Sequence, residues 1–372
     1  MNGAGGKPGE RLYPGAYLAG YRLEERIGRG GQAVVFRAID EQLGRPVAMK
    51  ILAPAFTNDH AFRTRFINES HAAAAVEHPH ILPVYDAGEA SGLLFIAMRY
   101  VPSGDVRSLV RQQGALSVRR GWTIISQIAA ALDAAHQLRL VHRDVKPANM
   151  LLDTSNRVAG AHRSDHAYLT DFGISKQAQS AGVTMVGQII GTLEYAAPEQ
   201  IDGDPVDGRT DVYALACSTF ELLTGEPPFR QRLGPALIYA QLSQAPPSLV
   251  QRRPELALSV DHVLAKAMAK VPADRYPTCG SYAVDLGRAL QLIAGQVEAV
   301  GQGVTPSSSI TLKASRRPPG QETRVVHRRP TPPTGPAPQT GPIPPAGPLG
   351  SAPPPAHEPP TQRRYPPDPY SR

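Results

Sequence analysis

The sequence is poor in cysteine: Cys217 and Cys279 are the only two in 372 residues. Two cysteines cannot build a disulfide framework, and their spacing is not that of a metal knuckle. A reducing, cytoplasmic setting is therefore expected. Long apolar runs are also missing. The most apolar-looking stretch, 212–223, is interrupted by Ser218, Thr219 and Glu221, so it reads as a buried helix and no membrane span is expected. The opening MNGAGGKPGE carries no apolar segment of a secretory signal. Basic charge is scarce where a nucleic-acid-binding domain would need it. The net charge is +7, but residues 301–372 hold nine Lys/Arg against three acids, so +6 of it lies there. The remaining 300 residues are nearly neutral, and no nucleic-acid partner is expected.

Proline is unevenly spread. Twenty of the 38 prolines fall in 301–372. This segment holds Pro, Gly, Thr and Arg and has no aromatics besides Tyr365 and Tyr370. It cannot bury enough apolar area to offset chain entropy, so 296–372 is expected to be a disordered, partly polyproline II tail. Residues 1–20 are Gly-rich and are expected to be loose. Between these ends the period of the apolar residues changes. Residues 21–27, 34–40, 46–52 and 93–100 read as strands, with a helix at 62–76. After Pro102, helical stripes take over: Ile124, Ile128, Ala131, Ala135 and Leu138; then Val212, Leu215, Thr219 and Leu223; then Val260, Val263, Leu264, Ala267 and Met268. Strands followed by helices make an α+β chain.

The chemistry is carried by short motifs. Gly28-Arg29-Gly30-Gly31-Gln32-Ala33-Val34-Val35 is a glycine-rich turn between strands, where backbone amides can approach phosphates without a Cβ in the way. A dinucleotide-binding turn would open into a helix, whereas here the chain continues as a strand. Lys50, in Val47-Ala48-Met49-Lys50, sits on the next strand but one, in reach of phosphate oxygens. Glu69, on the following helix, is expected to hold its ammonium. The strongest segment is His142-Arg143-Asp144-Val145-Lys146-Pro147-Ala148-Asn149, followed by Asp171-Phe172-Gly173 and Ala197-Pro198-Glu199. Phosphoryl transfer needs a carboxylate at the attacking hydroxyl, cations at the phosphates and oxygen ligands for Mg²⁺, and this set supplies all three.

Six such pieces in this order resemble the eukaryotic-like (Hanks-type) serine/threonine protein kinases, and their bacterial, particularly actinobacterial, members most of all. The Ala/Arg/Pro-rich composition and the phrase Leu94-Phe95-Ile96-Ala97-Met98-Arg99-Tyr100 share that flavour. The resemblance covers about Tyr21–Ile293. It implies a two-lobed protein kinase fold over 21–295, with a strand-rich N-lobe (21–101), a helical C-lobe (102–295) and the disordered tail beyond. It implies ATP and Mg²⁺, or Mn²⁺ in its place, as cofactors, protein Ser/Thr hydroxyls as acceptors, and a role in signalling. Asp144 would accept or orient the hydroxyl proton, Lys146 would steady the γ-phosphate, and Lys50 with Glu69 would hold the α/β-phosphates. Asn149 and Asp171 would ligate Mg²⁺. Ile27, Val35, Ala48 and Leu151 match the apolar positions around adenine. Met98 matches the gatekeeper, Arg99, Tyr100 and Val101 the hinge, and Asp105 the ribose contact. Asp211 matches a buried Asp that braces the catalytic loop, Glu199 and Arg275 a buried ion pair, and His142 a core histidine.

Regulation follows from the same resemblance. Arg143, Arg65 and Lys176 match basic positions that clamp a phosphate on the activation loop, and Thr184, eight residues before Thr192, matches an autophosphorylation position. Analogy with bacterial relatives implies a homodimer on activation. The stretch Asp153–His166 is longer than the family's usual hairpin and reads as a polar surface loop. The tail's alternatives are a solvated spacer, a segment docking an SH3-like or acidic partner, and an autophosphorylation target. The alternatives to an active kinase are a pseudokinase scaffold or nucleotide sensor, which the full set Lys50, Glu69, Asp144, Asn149 and Asp171 argues against, and a small-molecule kinase, which has no use for the segment around Ala197–Glu199.

Overall fold

The structure is a computed structural model, and it describes residues 12–30, 33–53, 59–154, 165–172, 193–229 and 234–293. The chain divides into two units, Met1–Ser307 and Ser308–Arg372, and every described residue lies in the first. Gly31, Gln32, Gly173, Lys176, Thr184, Thr192 and the tail lie outside the described residues.

Six antiparallel strands come first in the chain. They are β1 (Tyr17–Leu18), β2 (Tyr21–Arg29), β3 (Ala33–Asp40), β4 (Arg45–Leu52), β5 (Val84–Ala90) and β6 (Leu93–Arg99), in spatial order β1-β2-β3-β4-β6-β5. Period-two alternation gives this sheet its two faces. In β4, Val47, Met49 and Ile51 enter a core with Leu23, Phe36, Ala38 and Phe95, while Ala48 and Lys50 point the other way. The expectation of a loose stretch over 1–20 is corrected at its end, because Tyr17–Leu18 pairs with β2 and Leu18 is buried. Helix α1 (His60–Ala74) starts where the Asp59 carboxylate accepts the Ala61 and Phe62 amides. It buries Phe62 and Phe66 against Leu94 and Ile96.

The rest is helical around one larger core. It comprises α2 (Val106–Gln113), α3 (Val118–Gln137), α4 (Pro198–Asp202), α5 (Gly208–Thr224), α6 (Gly234–Ser243), α7 (Ser259–Ala267) and α8 (Cys279–Ala289). The hairpin β7 (Met150–Asp153) and β8 (His166–Leu169) lies between α3 and α4 in sequence. The α3 stripe is buried at Ile124, Ile128, Ala131 and Ala135, but Leu138 is exposed because the helix ends at Gln137. Helix α5 departs from a single stripe: every residue from Thr210 to Leu223 is buried, so its polar members need internal partners. Tyr195 Oη donates to Glu221, Tyr282 Oη to Thr219 at 2.8 Å, and the Ser218 hydroxyl to the Ala214 carbonyl at 2.9 Å. The stretch 153–166 is a loop only in part, because Asp153 and His166 pair as the first rung of the β7–β8 hairpin. Among the described residues no helix is long and apolar enough to cross a membrane.

Candidate active site

Sheet register brings the first group together. Gly28 faces Val35 across β2–β3, and Val35 faces Lys50 across β3–β4. One row of the sheet thus runs from the glycine turn to the lysine. A Cβ added at Gly28 would meet only Val35, at 3.5 Å, and at Gly30 only the Ala33 carbonyl, at 3.9 Å; neither glycine needs a positive φ. The chain itself therefore has room for side chains there. Bare backbone at Gly28 and Gly30, on either side of Arg29, suits a ligand that lies directly against it.

Ala48, Met98, Val101, Leu82 and Tyr168 form a small apolar cluster, with Val35, Tyr100 and Leu151 packed on its edge. Val35, Ala48, Met98, Tyr100, Val101 and Leu151 were expected here, whereas Leu82 and Tyr168 had no local signal. Ile27 departs from expectation: it is 43% exposed and stands outside this cluster, next to an irregularity in the β2–β3 register between Arg26 and Gly28. Arg29 continues β2 opposite Val34, the residue after Ala33. The Arg99 amide donates to the Pro83 carbonyl at 3.0 Å, and its guanidinium turns to Asp153 and the Tyr168 ring. Asp105 caps α2, with Oδ1 accepting the Ser108 amide at 2.8 Å and Oδ2 the Ser108 hydroxyl at 2.9 Å. In this structure that capping role occupies the carboxylate expected to meet a ribose.

The charged residues form two bonded groups, linked where the Thr170 amide, next to Asp171, donates to the Asn149 backbone carbonyl at 3.0 Å. Lys146 Nζ donates to Asp144 Oδ2 at 2.8 Å, and Asn149 Nδ2 donates to the same oxygen at 3.2 Å and to the Asp144 carbonyl at 2.8 Å. With its NH₂ so committed, the Asn149 amide presents its carbonyl oxygen, the atom a hard cation takes. Lys50 Nζ pairs with Asp171 Oδ1 at 2.8 Å. This corrects the expected Lys50–Glu69 pair. Glu69 lies on α1 in the field of Arg143 and Arg65, which work against burial; burial prevails and holds its carboxyl above the ordinary value. Two of the expected regulatory residues, Arg65 and Arg143, are thereby brought to one place around Glu69.

The loop carrying Asp144 is held from behind. Asp211, fully buried in α5, accepts the His142 amide on Oδ2 and the Arg143 amide on Oδ1, both at 2.8 Å. His136 Nε2 donates to Asp211 Oδ2 at 2.7 Å. His142 is fully buried: Nε2 donates to the Thr170 carbonyl at 3.0 Å, and Nδ1 accepts the Asp144 amide at 3.2 Å. Burial lowers its pKa and keeps it neutral, which fits a brace and not a base. Arg143 (φ 64°) and Asp171 (φ 61°) both occupy the left-handed region without being glycine. Strain of this kind persists only where surrounding bonds over-determine the backbone, and it gathers at functional sites. Further back, Arg275 and Glu199 form a buried two-pronged pair at 2.7 Å. Sequence reasoning missed His136, since a lone histidine near a helix end carries no local signal.

The comparisons with known proteins agree with this geometry. A family model described as "Protein kinase domain" matches residues 21–281. Serine/threonine-protein kinase PknJ of Mycobacterium tuberculosis is 40% identical over 274 residues, which is 73% of this chain and 46% of the relative. Serine/threonine-protein kinase PknD of the same species is 41% identical over 271 residues, 73% of this chain and 40% of the relative. The chain thus spans less than half the length of these curated relatives. The crystal structure of the Mycobacterium tuberculosis PknI kinase domain superposes with a TM-score of 0.59 at 36% identity, over 75% of this chain and 99% of that one. The chain belongs to the protein kinase family, in its bacterial Hanks-type branch.

Proposed function

We propose that the chain is an ATP- and Mg²⁺-dependent protein kinase that transfers the γ-phosphate to serine and threonine hydroxyls of proteins. The observation that carries this reading is the bonded set Asp144, Lys146 and Asn149 next to the Lys50–Asp171 pair, together with an apolar cluster and the bare backbone at Gly28 and Gly30. The donor set fits the cation: an amide carbonyl and a carboxylate are hard oxygen ligands, suited to Mg²⁺ and also to Mn²⁺. Asn149 and Asp171 would hold the cation, which when bound would supply charge neutralisation at the phosphates. Lys50 and Lys146 supply further positive charge to the phosphate oxygens, and the backbone at Gly28 and Gly30 covers them. Adenine packs against Ala48, Val35, Leu151 and Met98, with the hinge 99–101 at its edge. Asp144 orients the acceptor hydroxyl and takes its proton, its own carboxylate held by Lys146 and Asn149 before the acceptor arrives. The bracing of the loop by Asp211 keeps these groups in register without reorganisation during the step.

The site also bears on regulation. A phosphate on Thr184 would be drawn to the Arg143–Arg65 pair that flanks Glu69, which would order the activation loop. Comparing the phosphoproteome of cells expressing the chain with that of cells expressing Asp144→Asn tests the reading. Serine and threonine sites present only with the active chain are expected; identical phosphoproteomes would overturn it.

A further inference from the structure

Behind the catalytic loop lies a second cluster, of which the kinase reading uses only the His136 bond to Asp211. Asp133 and His136 are three residues apart on α3 and so share one face of that helix. Cys279 is the first residue of α8. One ligand atom from each of Asp133, His136 and Cys279 lies within 4.8 Å of the other two. α8 is docked there by Asp133 itself, whose Oδ1 accepts the Cys279 amide and whose Oδ2 the Gly280 amide, both at 2.9 Å. Each carboxylate oxygen takes one such bond and keeps a lone pair.

The hydrogen bond of His136 sets its tautomer. Nε2 donates to Asp211, and in the neutral ring Nδ1 is then the nitrogen with a lone pair to offer a metal. A carboxylate holding one ring nitrogen while the other binds a metal is the usual outer-shell arrangement of a metal histidine. Position 208 is glycine, and a Cβ there would lie 2.7 Å from Nδ1, so any larger residue would block that nitrogen. A cleft of about 470 Å³, lined by Asp133, His136, Asp207, Gly208, Arg209 and Thr278 among others, opens onto Asp133 and His136. It gives a cation an access route and leaves room for a water as fourth ligand. Cys279, next in sequence to the lining residue Thr278, is itself fully buried.

We propose that Asp133, His136 and Cys279 form a zinc-binding site, with a water from the cleft completing a tetrahedral set. A thiolate, an imidazole and a carboxylate together suit a borderline-soft cation that accepts four-coordination, which is Zn²⁺ among the common divalent metals. Zinc bonds of about 2.0–2.3 Å place ligand atoms roughly 3.3–3.8 Å apart, so the three side chains close in on the ion from a spacing of up to 4.8 Å. Binding forms a Zn–S bond and expels one proton, that of the Cys279 thiol. His136 links the site to Asp211, and Asp211 holds the amides of His142 and Arg143. Occupancy is therefore linked to the backbone of the catalytic loop through one imidazole and one carboxylate.

The test uses the full chain with excess Mg²⁺ present, which occupies oxygen-only sites. Zn²⁺ is titrated against a chromophoric chelator, and Co²⁺ is substituted to read a sulfur-to-cobalt charge-transfer band. One equivalent of Zn²⁺ is expected, with the band present in the wild type and in Cys217→Ala. In Cys279→Ala the band should vanish and Zn²⁺ should bind at least ten-fold more weakly. Cys279→Ser preserves the size of the residue in case the alanine variant does not fold, and it should lose the band as well. A band that persists in either Cys279 variant, or a wild type that binds Zn²⁺ no more tightly than they do, would overturn the proposal.

Discussion

Replacing Arg275 with methionine should cost the fold more than any surface change, and the reason can be counted in the structure. The Arg275 side chain is fully buried and that of Glu199 is 4% exposed. The guanidinium donates to both Glu199 oxygens at 2.7 Å, to the Ala269 carbonyl at 2.7 Å, and to the Arg209 and Lys270 carbonyls at 3.1 Å each. Its carbon stands 4.9 Å from the centre of the Tyr213 ring. Methionine fills much of the volume but strands a carboxylate and three carbonyls. Breaking one side of a buried ion pair costs about 3–5 kcal/mol, most of it from the uncompensated charge. Urea denaturation of the wild type, Arg275→Met, Glu199→Gln and the double variant reads this directly. The double variant should lose less than the sum of the singles, since it leaves no stranded charge. Burial alone would raise the Glu199 pKa, but its bonds to Arg275 and Thr210 outweigh this and lower it. A lowered folded pKa means this stability is present above the unfolded value, about 4.3, and is lost as pH falls through the folded one. A loss under about 1 kcal/mol in Arg275→Met, or strictly additive singles, would refute the reasoning.

Three further outcomes follow from the same geometry. Asp211→Asn exchanges one acceptor for an NH₂ that faces amide donors, so stability should fall by about 1–3 kcal/mol. Loosening of the loop at Arg143 should lower kcat by about 10²-fold, and steady-state kinetics beside a melting curve checks both. His142, His78 and His80 all have pKa values lowered by burial. The unfolded chain then takes up more protons below about pH 6.5, so denaturation midpoints should drop from pH 7 to pH 5.5; a flat profile would contradict this. Thr184→Ala should slow autoactivation and lower the phosphate content seen by intact-mass spectrometry, and unchanged values would dismiss Thr184 as the loop's phosphosite.

What could be read from the sequence was whatever is local. Strands with β-branched alternation, such as Ala33–Asp40 and Arg45–Leu52, and helices with a clear stripe declare themselves in a short window. β5 did not, because Val84–Ala90 is a half-exposed edge segment that becomes a strand by pairing with β6. Nor did β1, two residues long and defined by β2. The motif residues of the site were legible as chemistry, since Asp144, Lys146 and Asn149 are neighbours in sequence and Asp171 follows the β7–β8 hairpin. Their partners were not. Lys50 meets Asp171 and not Glu69 because that choice depends on where α1 sits against the sheet, which no spacing encodes. The His136–Asp211 bond joins residues 75 apart through the packing of α3 on α5, and only the fold reveals it.

The central claim is that the cluster around Asp144 moves a phosphoryl group. Incubating the full-length chain with γ-labelled ATP, Mg²⁺ and a protein acceptor, followed by phosphoamino-acid separation, tests it most directly. Label on serine and threonine is expected, with the rate falling roughly 10²–10⁴-fold in Asp144→Asn. Equal incorporation by the wild type and Asp144→Asn, or label on tyrosine alone, would contradict it.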